Sequence, residues 1–141
     1  GKRSLSYYEK LLNSVNVSLV SPLLHNSMLL NKASIIVAMT GTSIFESSIY
    51  KKPVIQLGDL SINQLLPNVF FHNHFSTLGE KISAVMENFV FDEDSEKRLT
   101  AFVAAIYDTG YPIDYGGAVY HGRDLDVIWE AYKYEISRIR N

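Results

Sequence analysis

The sequence lacks cysteine altogether, which excludes disulfides, thiolate zinc sites, iron–sulfur ligation and a cysteine nucleophile. It also lacks a basic excess, since thirteen Lys and Arg stand against fifteen Asp and Glu in 141 residues. Without that excess the chain cannot neutralise a phosphate backbone, so we expect no nucleic-acid partner. No apolar run approaches the roughly 18 residues that cross a bilayer, and no signal-type segment is present. We therefore predict a globular, cytoplasmic protein with an apolar core.

The hydrophobic pattern alternates between helix and strand over residues 1–90. Strand-like windows lie at 17–20, 34–39, 53–57 and 68–72. Helical spacing is found at 5–12, 26–32 and 43–50. The window at 34–39 is continuously apolar, which is typical of a parallel strand covered on both faces. The alternation predicts an α/β fold, a Rossmann-like parallel sheet with flanking helices.

Residues 91–141 form a helical C-terminal part of the same domain, which we predict to span 1–141. Asp92 or Asp94 can cap its first helix, and a C-terminal helix follows from apolar residues at helical spacing. That spacing is set by Leu125, Ile128, Trp129, Tyr132, Ile136 and Ile139. The two helices are joined by a tyrosine-rich connection, 107–122, whose rings either anchor the loop or face a sugar.

The turn after the second strand-like window is the most informative feature. A buried strand leads into Thr40-Gly41-Thr42, and a helix then begins, so unpaired backbone N–H groups and the positive end of a helix dipole point outward. Gly41 lets an anion approach the backbone, and the hydroxyls of Thr40, Thr42 and Ser43 can add hydrogen bonds. Glu46, one turn later, is placed to accept hydrogen bonds from the two hydroxyls of a ribose. The alternative is a capping box, in which Ser43 and Glu46 satisfy the helix's own N–H groups.

The run from Ala33 to Gly58 resembles the nucleotide-sugar-binding, C-terminal half of GT-B glycosyltransferases, in particular those of bacterial capsule and surface polysaccharide biosynthesis. The shared pattern is a strand, a Thr-Gly-Thr turn, a glutamate four residues on, and Lys-Pro-Val-Ile before a glycine. The resemblance implies that Thr40, Gly41, Thr42 and Ser43 bind the donor phosphates and that Glu46 binds the ribose. The sequence departs from the pattern at three positions, which are Ser34 for an acidic residue, Ser47 for alanine and Lys51 for glycine.

Further rim residues follow from the rule that ligands of open α/β sheets bind beyond the carboxyl ends of the strands. Pro22, Leu23 and His25 follow one predicted strand, and Gly58 and Asp59 follow another. We expect these five residues to surround the base or sugar of the donor. His25 has a second interpretation as a surface histidine at a helix start. His72-Asn73-His74 lacks a third spaced ligand, so we predict no metal site.

The resemblance implies a transferase that moves a sugar from a CMP-, UDP- or similarly activated donor to a growing polysaccharide or lipid-linked glycan. It implies no cofactor, a cytoplasmic location or one peripheral to the inner face of the membrane, and a truncated chain without its N-terminal acceptor domain. The catalytic residues are not identified, and we expect the chain alone to be inactive and to self-associate through its incomplete sheet. A CDP-glycerol glycerophosphotransferase, a UDP-sugar 2-epimerase-like domain and a non-catalytic α/β assembly domain remain alternatives.

Overall fold

Helices and strands alternate over residues 26–72, as the hydrophobic pattern predicts. The computed structural model describes residues 3–58, 62–111 and 125–139. The α-helices in these ranges are α1 (Leu5–Leu12), α2 (Asn26–Lys32), α3 (Thr42–Ile49), α4 (Leu78–Asn88), α5 (Glu93–Thr109) and α6 (Leu125–Ile139). The strands are β1 (Ile36–Ala38), β2 (Val54–Leu57) and β3 (Val69–His72), and short 3-10 helices lie at Ile62–Leu65 and Phe75–Thr77. The chain divides into two compact units, Gly1–Phe91 and Asp92–Asn141.

The three strands form one parallel sheet in the order β1-β2-β3. Val54 of β2 is in register with Ile36 of β1 on one side and with Val69 of β3 on the other. An α/β fold with a parallel sheet is therefore confirmed. Because the strands are parallel, their carboxyl ends lie at the same edge of the sheet, where Met39, Gly58 and Asn73 follow them.

The predicted first strand at 17–20 is wrong, because those residues pair with no strand among the described residues. Val20 is half exposed, and the Val17 amide donates to the Ser14 carbonyl oxygen at 3.4 Å, which is a turn contact and not part of a strand ladder. The expected coverage of β1 on both faces is also wrong. Val37 is 41% exposed, whereas Ile36 and Ala38 on either side of it are half-buried, so one face of β1 is open to solvent.

The core of the first unit surrounds the central strand, where Val54 and Ile55 are completely buried together with Ile44 of α3. A polar network is buried among these apolar side chains. The Asn68 side-chain amide donates to the Lys52 carbonyl oxygen at 2.7 Å, and its oxygen accepts from the Ser48 hydroxyl at 2.6 Å. Since every one of these buried polar atoms has a partner, the network holds the end of α3 to the start of β3.

The described residues of the second unit belong mainly to α5 and α6. Asp92 caps α5, since its carboxylate accepts from the Ser95 amide at 2.9 Å, which selects Asp92 from the two predicted caps. These hydrogen bonds from the Ser95 amide and hydroxyl lower the pKa of Asp92 below its usual value. The connection at 112–124 lies outside the described residues, and so does most of the predicted tyrosine-rich loop. None of the described helices is long and apolar enough to span a membrane.

Candidate functional site

The first turn of α3 follows directly from the carboxyl end of β1. Gly41 is its N-cap residue, with φ 116° and ψ 168°, a conformation that is essentially restricted to glycine. A Cβ atom built on Gly41 would meet no heavy atom within 4 Å. The glycine is therefore required by its backbone angles, and the space beside it is open to a ligand.

The backbone N–H groups of this turn are not capped by any described side chain. The Ile44 amide donates to the Gly41 carbonyl oxygen at 3.3 Å, whereas the amides of Thr42 and Ser43 precede the first helical hydrogen bond. Together with the positive end of the helix dipole, these donors favour an anion. The structure thus leaves available the groups that the sequence predicts to bind phosphate.

The capping box, proposed as the alternative, is not formed. It needs Ser43 as the N-cap residue, but the N-cap is Gly41, which makes Ser43 the second helical residue and Glu46 the fifth. At that position the Glu46 carboxylate lies a full turn beyond the free N–H groups. The hydrogen-bond partner of the Glu46 carboxylate is instead the side chain of Asn26, which no sequence motif indicates.

Asn26, the first residue of α2, holds the Glu46 carboxylate. Its side-chain amide donates to Glu46 Oε2 at 2.8 Å and lies 3.3 Å from the Ser43 hydroxyl oxygen. Oε1 of Glu46 has no hydrogen-bond partner among the described residues, so one carboxylate oxygen is held while the other can accept from a ligand. No sequence signal identifies Asn26, because it is separated from Ser43 and Glu46 by 17 and 20 positions and meets them only through helix packing.

The predicted rim residues before α2 lie at the start of that helix. His25 is the N-cap of α2, where its Nδ1 accepts from the Ser27 amide at 3.3 Å and lies 2.6 Å from the Ser27 hydroxyl. Leu23 is 93% exposed in the turn that also contains Pro22. Because Asn26 follows directly, α2 brings this turn towards the first turn of α3. The contacts of His25 are those of a helix cap.

A cavity of about 200 Å³ lies at the carboxyl edge of the sheet. It is lined by residues that follow or end the three strands: Met39, Leu57, Gly58, His72, Asn73 and Phe75. Gly58 has a φ of 103° and donates its amide to the His72 carbonyl oxygen at 3.3 Å, which places this predicted rim residue in the cavity wall. Asp59 lies outside the described residues. His72 Nε2 is 2.6 Å from the His74 carbonyl oxygen and 3.2 Å from the Thr77 hydroxyl oxygen.

Two departures from the resembled pattern have local structural consequences. Ser47 is completely buried, and its hydroxyl donates to the Ile44 carbonyl oxygen at 2.6 Å, so a serine fits where the pattern has alanine. Lys51 has a φ of 54°, in the left-handed region that favours the glycine of the pattern. Both substitutions lie away from the first turn of α3.

No family model, curated protein or solved structure matches the chain. The chemistry of the site therefore rests on its own residues. They offer amide donors for an anion, a fixed carboxylate for a pair of hydroxyls, and a neighbouring apolar cavity at the sheet edge.

Proposed function

We propose that this chain is the nucleotide-sugar-binding domain of a bacterial GT-B-type glycosyltransferase that extends a capsule or surface polysaccharide. One observation carries the proposal: the first turn of α3 has no side-chain cap, begins at a glycine with positive φ, and stands beside a carboxylate held by Asn26.

The donor phosphates would bind at the Thr42 and Ser43 amides, with the hydroxyls of Thr40, Thr42 and Ser43 as further donors. Glu46 would accept from the ribose hydroxyls through Oε1, because Oε2 is already engaged by Asn26. The carboxylate lies one helical turn from the amides, a spacing that separates it from the phosphate charge. The two functions, anion binding and diol binding, thus use successive turns of the same helix.

In such a transferase the nucleotide leaves with its phosphate oxygens carrying the developing negative charge. Fixed amide dipoles at the start of α3 would stabilise that charge without reorganising, and preorganised stabilisation of this kind is usually the largest single term in catalysis. The acceptor and the group that deprotonates it would come from a separate acceptor domain. We therefore expect this chain to bind donor nucleotides and to transfer no sugar by itself.

The test is a titration of the chain with cytidine, CMP, CDP and UDP, followed by calorimetry and by amide chemical shifts. Binding should require phosphate, and the Thr42 and Ser43 amides should shift. Glu46→Gln should weaken CDP binding about tenfold, since it removes hydrogen bonds to a charged acceptor. Glu80→Gln is the matched control, because Glu80 lies in the first turn of α4 and is exposed.

Three results would contradict the proposal: cytidine binding as tightly as CDP, no binding of any nucleotide, or equal affinity in the wild type and Glu46→Gln. The last of these would remove Glu46 from the site and leave only an anion-binding turn. The absence of all nucleotide binding would favour a non-catalytic assembly domain. Circular dichroism of each variant establishes that the fold is retained.

A further inference from the structure

Helix α6 turns its less apolar side inward. Its half-buried positions include Ile128, Ala131 and Glu135, which share one face of the helix, and no residue of α6 is fully buried. Glu135 accepts a hydrogen bond from the Tyr111 hydroxyl at 3.1 Å and is also bonded to Arg138. The inward face thus consists of one large apolar side chain, an alanine and an engaged carboxylate.

The large apolar side chains of α6 form a separate, exposed stripe. Its members recur at alternating intervals of four and three residues: Leu125, Trp129, Tyr132, Ile136 and Ile139. Their exposure runs from 47% at Ile136 to 84% at Ile139. The spacing is that of the a and d positions of a heptad, the seam by which one helix packs against another. A seam of this kind in solvent indicates a surface that is covered by a partner.

We infer that the stripe pairs with the same stripe of a second copy of this chain, with the two α6 helices antiparallel. In this register Asp126 and Lys133 both occupy e positions, and antiparallel helices bring the e positions of one chain to those of the other. Asp126 of each chain would then face Lys133 of its partner. The two-fold symmetry of a homodimer forms this pair twice.

A parallel arrangement lacks this complementarity over the described residues 125–139. Parallel helices bring e positions to g positions, and the g positions of α6 are Ile128 and Glu135. Lys133, which pairs with Glu130 of its own helix in the single chain, would then meet the uncharged Ile128 of the partner, and Glu135 would face position 140, which lies outside the described residues. Charge therefore selects the antiparallel pair, whose centre lies between Trp129 and Tyr132.

Trp129 is the only tryptophan of the chain and lies at that centre, so it reports dimer formation directly. Sedimentation velocity of the full chain should show a concentration-dependent dimer, and Trp129 emission should move to shorter wavelength over the same concentrations. Ile136→Lys should abolish both changes. Val127→Lys is the matched control on α6, since Val127 lies off the stripe, and it should leave the dimer intact.

Charge reversal tests the orientation. Asp126→Lys and Lys133→Asp should each weaken the dimer about tenfold, because two attractive exposed pairs become repulsive. An equimolar mixture of the two variants should recover dimer, since each mixed pair again has opposite charges. This recovery is independent of any loss of helicity in the single variants.

The inference is overturned by a chain that stays monomeric at all concentrations, by a dimer that survives Ile136→Lys, or by no recovery in the mixture. A monomer with Trp129 emission already at short wavelength would show that another part of the same chain covers the stripe. A monomer with fully exposed emission would leave the stripe to a different protein. None of these outcomes bears on nucleotide binding at α3.

Discussion

Replacing Asn68 by alanine should destabilise the first unit strongly, because Asn68 is completely buried and satisfies two other polar groups. The substitution leaves the Ser48 hydroxyl without its acceptor and the Lys52 carbonyl oxygen without its donor. Each unsatisfied buried group costs roughly 1–3 kcal/mol, so we expect a loss of about 3 kcal/mol after partial relaxation. This is a large part of the roughly 5–15 kcal/mol that stabilises a typical domain.

Native-state hydrogen exchange measures this loss within the first unit itself. The amides of β2 should exchange about a hundredfold faster in Asn68→Ala, as about 3 kcal/mol corresponds to two factors of ten in the opening equilibrium. Asn88→Ala is the control, because Asn88 also donates to a carbonyl oxygen, at 2.8 Å, but from an exposed position. It should change exchange very little.

A double-mutant cycle identifies the hydrogen bond as the cause. Ser48→Ala removes the hydroxyl that donates to Asn68. The double variant should therefore lose clearly less free energy of unfolding than the sum of the losses in the two single variants. Strict additivity, or an Asn68→Ala variant that exchanges like Asn88→Ala, would refute the reasoning that this network holds α3 to β3.

Three further outcomes are expected. Gly41→Ala should lower the free energy of unfolding by roughly 1–3 kcal/mol in urea, because alanine is strained at a φ of 116° although its Cβ would meet no heavy atom within 4 Å. An unchanged midpoint of urea unfolding would contradict this. The Lys51→Gly variant should be about 1 kcal/mol more stable than Lys51→Ala, because glycine suits the φ of 54° better than alanine does. Both variants lose the contact with the Phe91 ring, so that contact does not affect the comparison. The reverse order of stability would argue against backbone strain at this position. The Asp92 carboxylate should contribute to the free energy of unfolding above about pH 4, and this contribution should be lost as the pH falls through its lowered pKa. Asp92→Asn should lack this pH dependence, so identical acid-unfolding curves for the wild type and the variant would exclude the contribution.

Local sequence determines most elements of the first unit. The apolar windows around β2 and β3, and the helical spacing of α1, α2 and α3, each identify an element within a residue or two. The strand at 17–20 fails because a strand exists only when a neighbour pairs with it, and a β-branched run contains no information about that neighbour. The prediction that β1 is covered on both faces fails for the same reason, since coverage of a strand depends on what packs over the sheet.

The candidate site likewise has one part that local sequence predicts and another part that depends on the structure. The glycine turn and its free N–H groups follow from a strand that leads into a helix, and they are visible in the sequence as Thr40-Gly41-Thr42. The choice between a capping box and a free first turn depended on where α3 begins, because the N-cap is Gly41 and not Ser43, a shift of two residues. Helix starts are uncertain by that amount in any pattern, so only the structure could decide it.

By itself, the sequence determined the parallel α/β class, the position of the turn at Gly41 and the helical character of 93–109 and 125–139, because periodicity and turn residues act over a few neighbouring positions. Tertiary structure alone decided that Asn26 holds Glu46, that Asn68 joins α3 to β3, and that α6 leaves its larger apolar stripe in solvent. These are contacts between residues far apart in the chain, or surfaces without such contacts. Their energies depend on which elements meet, and no local pattern contains that information.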